Sequence, residues 1–300
     1  MLVQGDGSAR LMPLCREVGH LKRITSARRD GSIATRLFLR AWSALVAGDE
    51  PSSVMRRTVG MAVAAARLGD LDLGKLRDLG LSEAEATNVL RGSFNAVADT
   101  IDPLLAADLR EALGQDMLAG SPPPFATLLA GQPRAGVTCP GKPRLMLEPA
   151  ENHAEHSVMV AIYAVLLASE YRADPTAVFL AGLGHHFQNA AMPDSGFTGE
   201  MLLGDLLEGV IDRARGRALS ELPSPLQQQF KEALAPIADD GSPEGRAFHA
   251  ADVIDRVLEI EQHLAAAGTT MDMVLHDYEL VHTGPVKIFH DATLRDVGLL

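Results

Sequence analysis

Residues 151–194 read ENHAEHSVMVAIYAVLLASEYRADPTAVFLAGLGHHFQNAAMPD, with His153 and His156 at one end and His185 and His186 near the other. Apolar residues recur at helical spacing over 153–171 and again over 175–187, which predicts two consecutive helices. His156 falls in the first turn of the earlier one, and Val160, Ala164 and Leu167 continue its face, so its imidazole begins a buried stripe. His185 and His186 close the second helix, where a helix end opens towards a cleft. One histidine on an apolar face is ordinarily a hydrogen-bonded core residue or a favourable charge at a helix C-terminus. Several together point to a metal, because a neutral imidazole offers a lone pair without the cost of burying a bare charge.

Working outward, the rest of the chain is consistent with a helical protein. Of 300 residues 47% are hydrophobic and only 4% aromatic, Ala and Leu dominate, and β-branched runs bounded by turn residues are scarce. An all-α architecture follows. Helices are expected near 33–48 with Gly48 as a stop, 53–68, 82–98, 103–114, 198–215, 223–236 and 243–267, with Asp72, Ser82 and Asp102 as N-caps. Seven prolines between Gly120 and Asn152 break the helical pattern. This divides the chain into an N-terminal helical domain (1–120), a Pro/Gly-rich linker (121–143) and a domain holding the histidines (144–300), with an irregular final segment.

The formal charge of −12 argues against nucleic acid as a partner of the whole protein, since a polyanion is repelled at long range. Residues 1–60 nevertheless carry ten Lys/Arg, among them Lys22 and Arg23, against five acids. Such a face is either solvated or matched to an acidic partner, the protein's own acidic remainder included. Cys15 and Cys139 are far apart and fit no metal spacing, which suits a reducing compartment. No run approaches the ~20 apolar residues of a membrane span, and the start lacks a secretory apolar segment, so no membrane association and a cytoplasmic location are expected.

The motifs AEHS (154–157), AGLGHHFQNAAMPD (181–194) and FHAADVIDRVLEIEQHLAAAG (248–268), in that order, resemble the HD-domain metal-dependent phosphohydrolases, nearest the bacterial 5'-deoxynucleotidase-like branch. The similarity covers about residues 144–267. It implies an HD-domain helical bundle and a metal held by His156, His185, His186 and Asp252. Where the family has His-Asp, this chain has His185-His186, so the donor set becomes three neutral nitrogens and one carboxylate. That set moves the preference from Mg²⁺ towards Mn, Fe, Co, Ni or Zn and gives a bound divalent ion a net site charge of +1, which favours an anionic substrate.

The branch's glutamate four residues after the pair's first histidine is matched here by Asn189, and an amide is no base. Its next acidic residue is matched by Asp194, the candidate for proton handling, unless Pro193-Asp194-Ser195-Gly196 is only a turn. Arg144 is nearest in position to the branch's phosphate-binding arginine. Periodicity alone places Asp252, Asp255, Arg256, Glu259 and His263 on a solvent-exposed stripe of the 247–264 helix; the resemblance instead turns Asp252 towards the histidines. His153, Glu151 and Glu155 are candidates for orienting ligands, and His249 is a possible extra ligand. The expected function is a metal-dependent phosphomonoesterase acting on a small-molecule phosphate such as a nucleotide, and the resemblance implies a homodimer. The alternatives are a catalytically degenerate HD-fold binding or signalling module and a di-iron oxygenase, which needs histidines between His186 and Asp252 where only His249 stands.

Overall fold

The computed structural model describes residues 6–264 and 268–300 and, among these, contains helices and turns but no β-strand. In chain order the helices are α1 (Asp6–Gly19), α2 (Ile33–Ala47), α3 (Pro51–Leu68), α4 (Leu73–Asp78), α5 (Glu83–Asn95), α6 (Pro103–Ala112) and α7 (Pro124–Gly131). They continue with α8 (His153–Tyr171), α9 (Pro175–Gly184), α10 (Gly196–Leu203), α11 (Leu207–Ser220), α12 (Ser224–Leu234), α13 (Pro243–Leu264) and α14 (Lys287–Asp296). No described helix is long and apolar enough to cross a membrane.

The expected caps are present. Asp72, Ser82 and Asp102 each accept backbone N–H bonds from the first turn they precede, and Gly48 ends α2 with φ +100°, a conformation that favours glycine. Three expectations need correction. Residues 121–143 are not a bare linker: Pro124 starts α7 at a position where its missing N–H costs nothing, and Phe125, Ala126 and Leu129 are buried. The 198–215 pattern is two helices, α10 and α11, and the final segment contains α14. The last residues of the predicted 243–267 helix, 265–267, lie outside the described residues.

A separate N-terminal domain is not seen either. One core runs from Leu11 to Val297. Its centre is aromatic: Trp42 of α2 stacks on Phe230 of α12 at 4.7 Å and meets Phe125 of α7 edge-on at 4.8 Å, while Phe187 lies 5.1 Å from Phe125. Rings from both sides of the supposed boundary therefore share one packed cluster, and neither side can keep it dry alone. α8 lies at the middle of this core and is buried almost throughout.

α8 and α9 approach each other unusually closely, and glycine permits it. A Cβ built on Gly182 would stand 2.5 Å from the Cα of Ala161, a backbone atom that cannot step aside. This contact brings the first turn of α8 beside the end of α9. Gly182→Ala should therefore lower stability by about 1–3 kcal/mol despite alanine's better helix propensity. Gly216→Ala in α11, where the added carbon meets nothing within 4 Å, should be neutral or stabilising by up to about 1 kcal/mol. Urea unfolding followed by circular dichroism reads both.

Candidate metal centre

Asn152 starts α8 with a capping box, its side chain accepting from Glu155 N while Glu155 bonds back to Asn152 N. This sets the first turn, and with it His156, which is fully buried. Asp174 caps α9, which ends at Gly184 and leaves His185 and His186 on the turn that follows. α13 lies across α8 and supplies Asp252 and Asp255.

The three imidazoles converge. Ligating atoms of His156, His185 and His186 all lie within 4.8 Å of one another. His156 Nε2 is 3.2 Å from His185 Nε2 and 3.2 Å from Asp252 Oδ1. Metal–nitrogen bonds of 2.0–2.1 Å in a tetrahedral shell put neighbouring donors about 3.3 Å apart, a spacing that these two contacts match.

The partners of the other ring nitrogens assign the lone pairs. His156 Nδ1 is 2.8 Å from Asp255 Oδ2, His185 Nδ1 is 2.7 Å from the carbonyl of Gly182, and His186 Nδ1 is 2.9 Å from Asn189 Oδ1. At His185 and His186 the acceptor draws the proton to Nδ1 and leaves Nε2 bare, whereas His156 has a carboxylate at each nitrogen, Asp255 being closer to Nδ1 than Asp252 is to Nε2. Asn189 is itself oriented, its Nδ2 donating to the carbonyl of Met192 at 3.3 Å. Bare Nε2 atoms facing each other and a carboxylate repel unless a cation sits among them. A proton on His156 satisfies one such contact at a time; a metal ion satisfies all of them. By its donor chemistry the cluster fits a divalent transition metal.

The electrostatics agree. Burial pushes His185 down to about 3 and His186 well below its ordinary value, so both are neutral near pH 7. For His156 burial pulls the same way, but the bonds to Asp252 and Asp255 prevail and raise it. Burial would raise Asp252, yet His156 and the Arg256 guanidinium hold it well below the usual carboxylate range.

The chain matches no protein-family model, no curated protein and no solved structure.

A cavity of about 270 Å³ opens beside the cluster and is lined by His153, His186, Asp194, Arg134 and Arg256 among others. Arg134 Nη1 is buried with no hydrogen-bond partner among the described residues, and its Nε stands 3.7 Å from Glu151. Arg256 bonds the carbonyl of Leu280 at 2.7 Å. His282 stacks on Phe197 at 3.9 Å, both against the cavity, so the segment around His282 lies along it.

Asp194 lines this cavity, but it is also a turn residue: its carboxylate accepts from Ala135 N at 3.0 Å and Gly196 N at 2.8 Å. Arg144 is not brought to the site. Its guanidinium donates to the carbonyls of Ala135 and Ser195, pinning two loops, and Arg134 and Arg256 are the arginines at the cavity. His249 donates to the carbonyl of Ile237 at 3.0 Å and is taken up structurally. Glu155 is spent on the cap. His153 is buried with both ring nitrogens unpartnered among the described residues, 3.5 Å from Asp194.

The stripe that periodicity assigned to solvent faces inward. Asp255 is fully buried and Glu259 nearly so, and Lys22 Nζ stands 3.0 and 2.9 Å from them and 2.8 Å from Glu151. Arg23 pairs with Glu259 as well. The basic N-terminal segment thus meets the protein's own acids. Burial opposes charge on Glu259, but Lys22, His263 and Arg23 overcome it and hold its carboxyl far below the usual range. A depressed folded value means stability that is present above the unfolded value, ~4.3, and is lost as pH falls through the folded one. Glu259→Gln should accordingly be destabilising at pH 7. The deficit should shrink by roughly 1.4 kcal/mol per pH unit below ~4.3, as read by urea unfolding at several pH values.

Proposed function

We propose that this chain is a metal-dependent phosphohydrolase of the HD-domain type, acting on a nucleotide or a similar small phosphate ester. The observation that carries the reading is the convergence of His156, His185 and His186, each with a ligating atom within 4.8 Å of the others, with His156 Nε2 3.2 Å from Asp252 Oδ1. His156, His185, His186 and Asp252 would hold the ion, with Mn, Fe, Co, Ni or Zn favoured by the nitrogen-rich set. When bound, such an ion supplies Lewis acidity and a water of lowered pKa.

The residues around it suit a phosphate monoester. Arg134 and Arg256 put positive charge on a cavity wall, and buried guanidinium is suited to bidentate phosphate binding. Arg134 has a free buried donor to give. The cavity's volume of about 270 Å³ suits a small molecule. Asp194 stands at the same wall with one carboxylate able to take or return a proton, its orientation held by two backbone N–H groups.

Elemental analysis of the purified protein should find about one transition-metal ion per chain, and a screen of phosphate monoesters should find turnover. His185→Ala should abolish both, since His185 contributes only its Nε2 to the cluster. Turnover retained without His185 would refute the assignment. No metal even after addition of Mn, Fe, Co, Ni and Zn salts would leave the non-catalytic binding module. Arg134→Met should raise KM for phosphate esters about tenfold or more while metal content stays at the wild-type level; steady-state kinetics alongside metal analysis separates the two.

A further inference from the structure

Lys22 lies outside every motif that pointed to a metal, in a short helical turn after α1, yet it is nearly fully buried. Its ammonium carries three protons and faces three carboxylates, Glu151 at 2.8 Å, Asp255 at 3.0 Å and Glu259 at 2.9 Å. It donates to Glu151 and Asp255 and stands in ionic contact with Glu259, so carboxylates hold it from three sides. Glu259 goes on to His263, away from the cluster, and only Asp255 goes on to a histidine of the cluster: Oδ1 meets Lys22, and Oδ2 meets His156 Nδ1 at 2.8 Å. A carboxylate torsion is broad when unrestrained. With one oxygen tied to Lys22, the other is aimed at the imidazole.

We propose that Lys22 is a positioning residue for the metal centre, acting through Asp255 to hold His156 with its proton on Nδ1 and Nε2 bare towards His185 and Asp252. The N-terminal segment thereby completes a site whose donors all come from the other half of the chain. Simple charge compensation of a buried acid cluster does not require this. Arg23 also neutralises Glu259 but touches neither Asp255 nor His156, so it isolates the compensating role from the positioning one.

The proposal rests on the metal reading, and two separate readouts keep their failures apart. Long-range ¹H–¹⁵N spectra of the metal-free protein at about pH 9, well above the ordinary imidazole range, report the His156 tautomer. Wild type and Arg23→Met should show His156 protonated on Nδ1; Lys22→Met should show mixed tautomers. Zinc titration should then find affinity about 10–100-fold weaker in Lys22→Met and unchanged in Arg23→Met. A folded Lys22→Met protein with the wild-type tautomer and wild-type zinc affinity overturns the proposal. Should Lys22→Met fail to fold, the wild-type protein decides: saturating zinc should shift the Lys22 Nζ resonance, and an unmoved resonance overturns the relay. If wild type binds none of Mn, Fe, Co, Ni and Zn, the metal reading fails. The tautomer experiment still decides the positioning role, supporting it if the His156 proton depends on Lys22 and overturning it if it does not.

Discussion

A row of carboxylates on α13 points into the protein, and buried charge tolerates no imbalance. Taking an ionised carboxylate out of water costs several kcal/mol, recovered only where countercharge and hydrogen bonds surround it. Asp252 and Asp255 take His156 between them, and Asp255 and Glu259 share Lys22 with Glu151. This one row couples the two halves of the chain. Lys22 and Arg23 meet Glu151, Asp255 and Glu259, so these acids are neutralised where α1 and the turn after it dock on α13. The aromatic centre around Trp42 enforces the same docking by non-polar means.

The histidine arrangement follows from that frame. α8 supplies His156 from its capped first turn, and the Gly182–Ala161 approach draws the end of α9 alongside. α13 then closes the third side with Asp252. The geometry needs no ion to be assembled: ring nitrogens that do not face the cluster are each bonded to an oxygen acceptor, and the remaining ones are left to converge.

Most helices were legible because caps and 3.6-residue periodicity are local signals. The candidate ligands were legible because imidazoles at the ends of apolar helices are conspicuous. Asp255, Glu259 and Lys22 were hidden for a physical reason. A hydrophobic pattern assigns every charge to solvent, and a paired buried charge looks the same in sequence as a solvated one. The available hint was that α13 is apolar on more than one side, with Val253 and Val257 buried in a second cluster with Val137 and Val274, which leaves little helix surface for water. The excess of ten basic residues against five acidic ones in a strongly acidic protein was a second hint, already admitting an internal acidic partner. Arg134 carried no signal; it lies in a proline-rich stretch whose composition suggested only a connector, and its place at the cavity depends on the pairing of 133 with 152 and 137 with 145.

The two departures from the resembled pattern, His186 for an aspartate and Asn189 for a glutamate, are one change when read in the structure. A histidine ligand needs its far nitrogen bonded to an acceptor to choose a tautomer, whereas an aspartate has none to satisfy. Asn189 supplies that acceptor three residues on, its amide turned by the carbonyl of Met192. A glutamate in its place would accept the proton too, but it would put a fresh buried charge beside an uncharged imidazole on the wall where Asp194 already stands. The neutral amide orients His186 without adding to the carboxylates of Glu151, Asp194, Glu200 and Glu259, which line the cavity together with Arg134 and Arg256. The replacement of an acidic side chain by asparagine, which in sequence looks like lost proton chemistry, in three dimensions supplies the acceptor for His186 Nδ1.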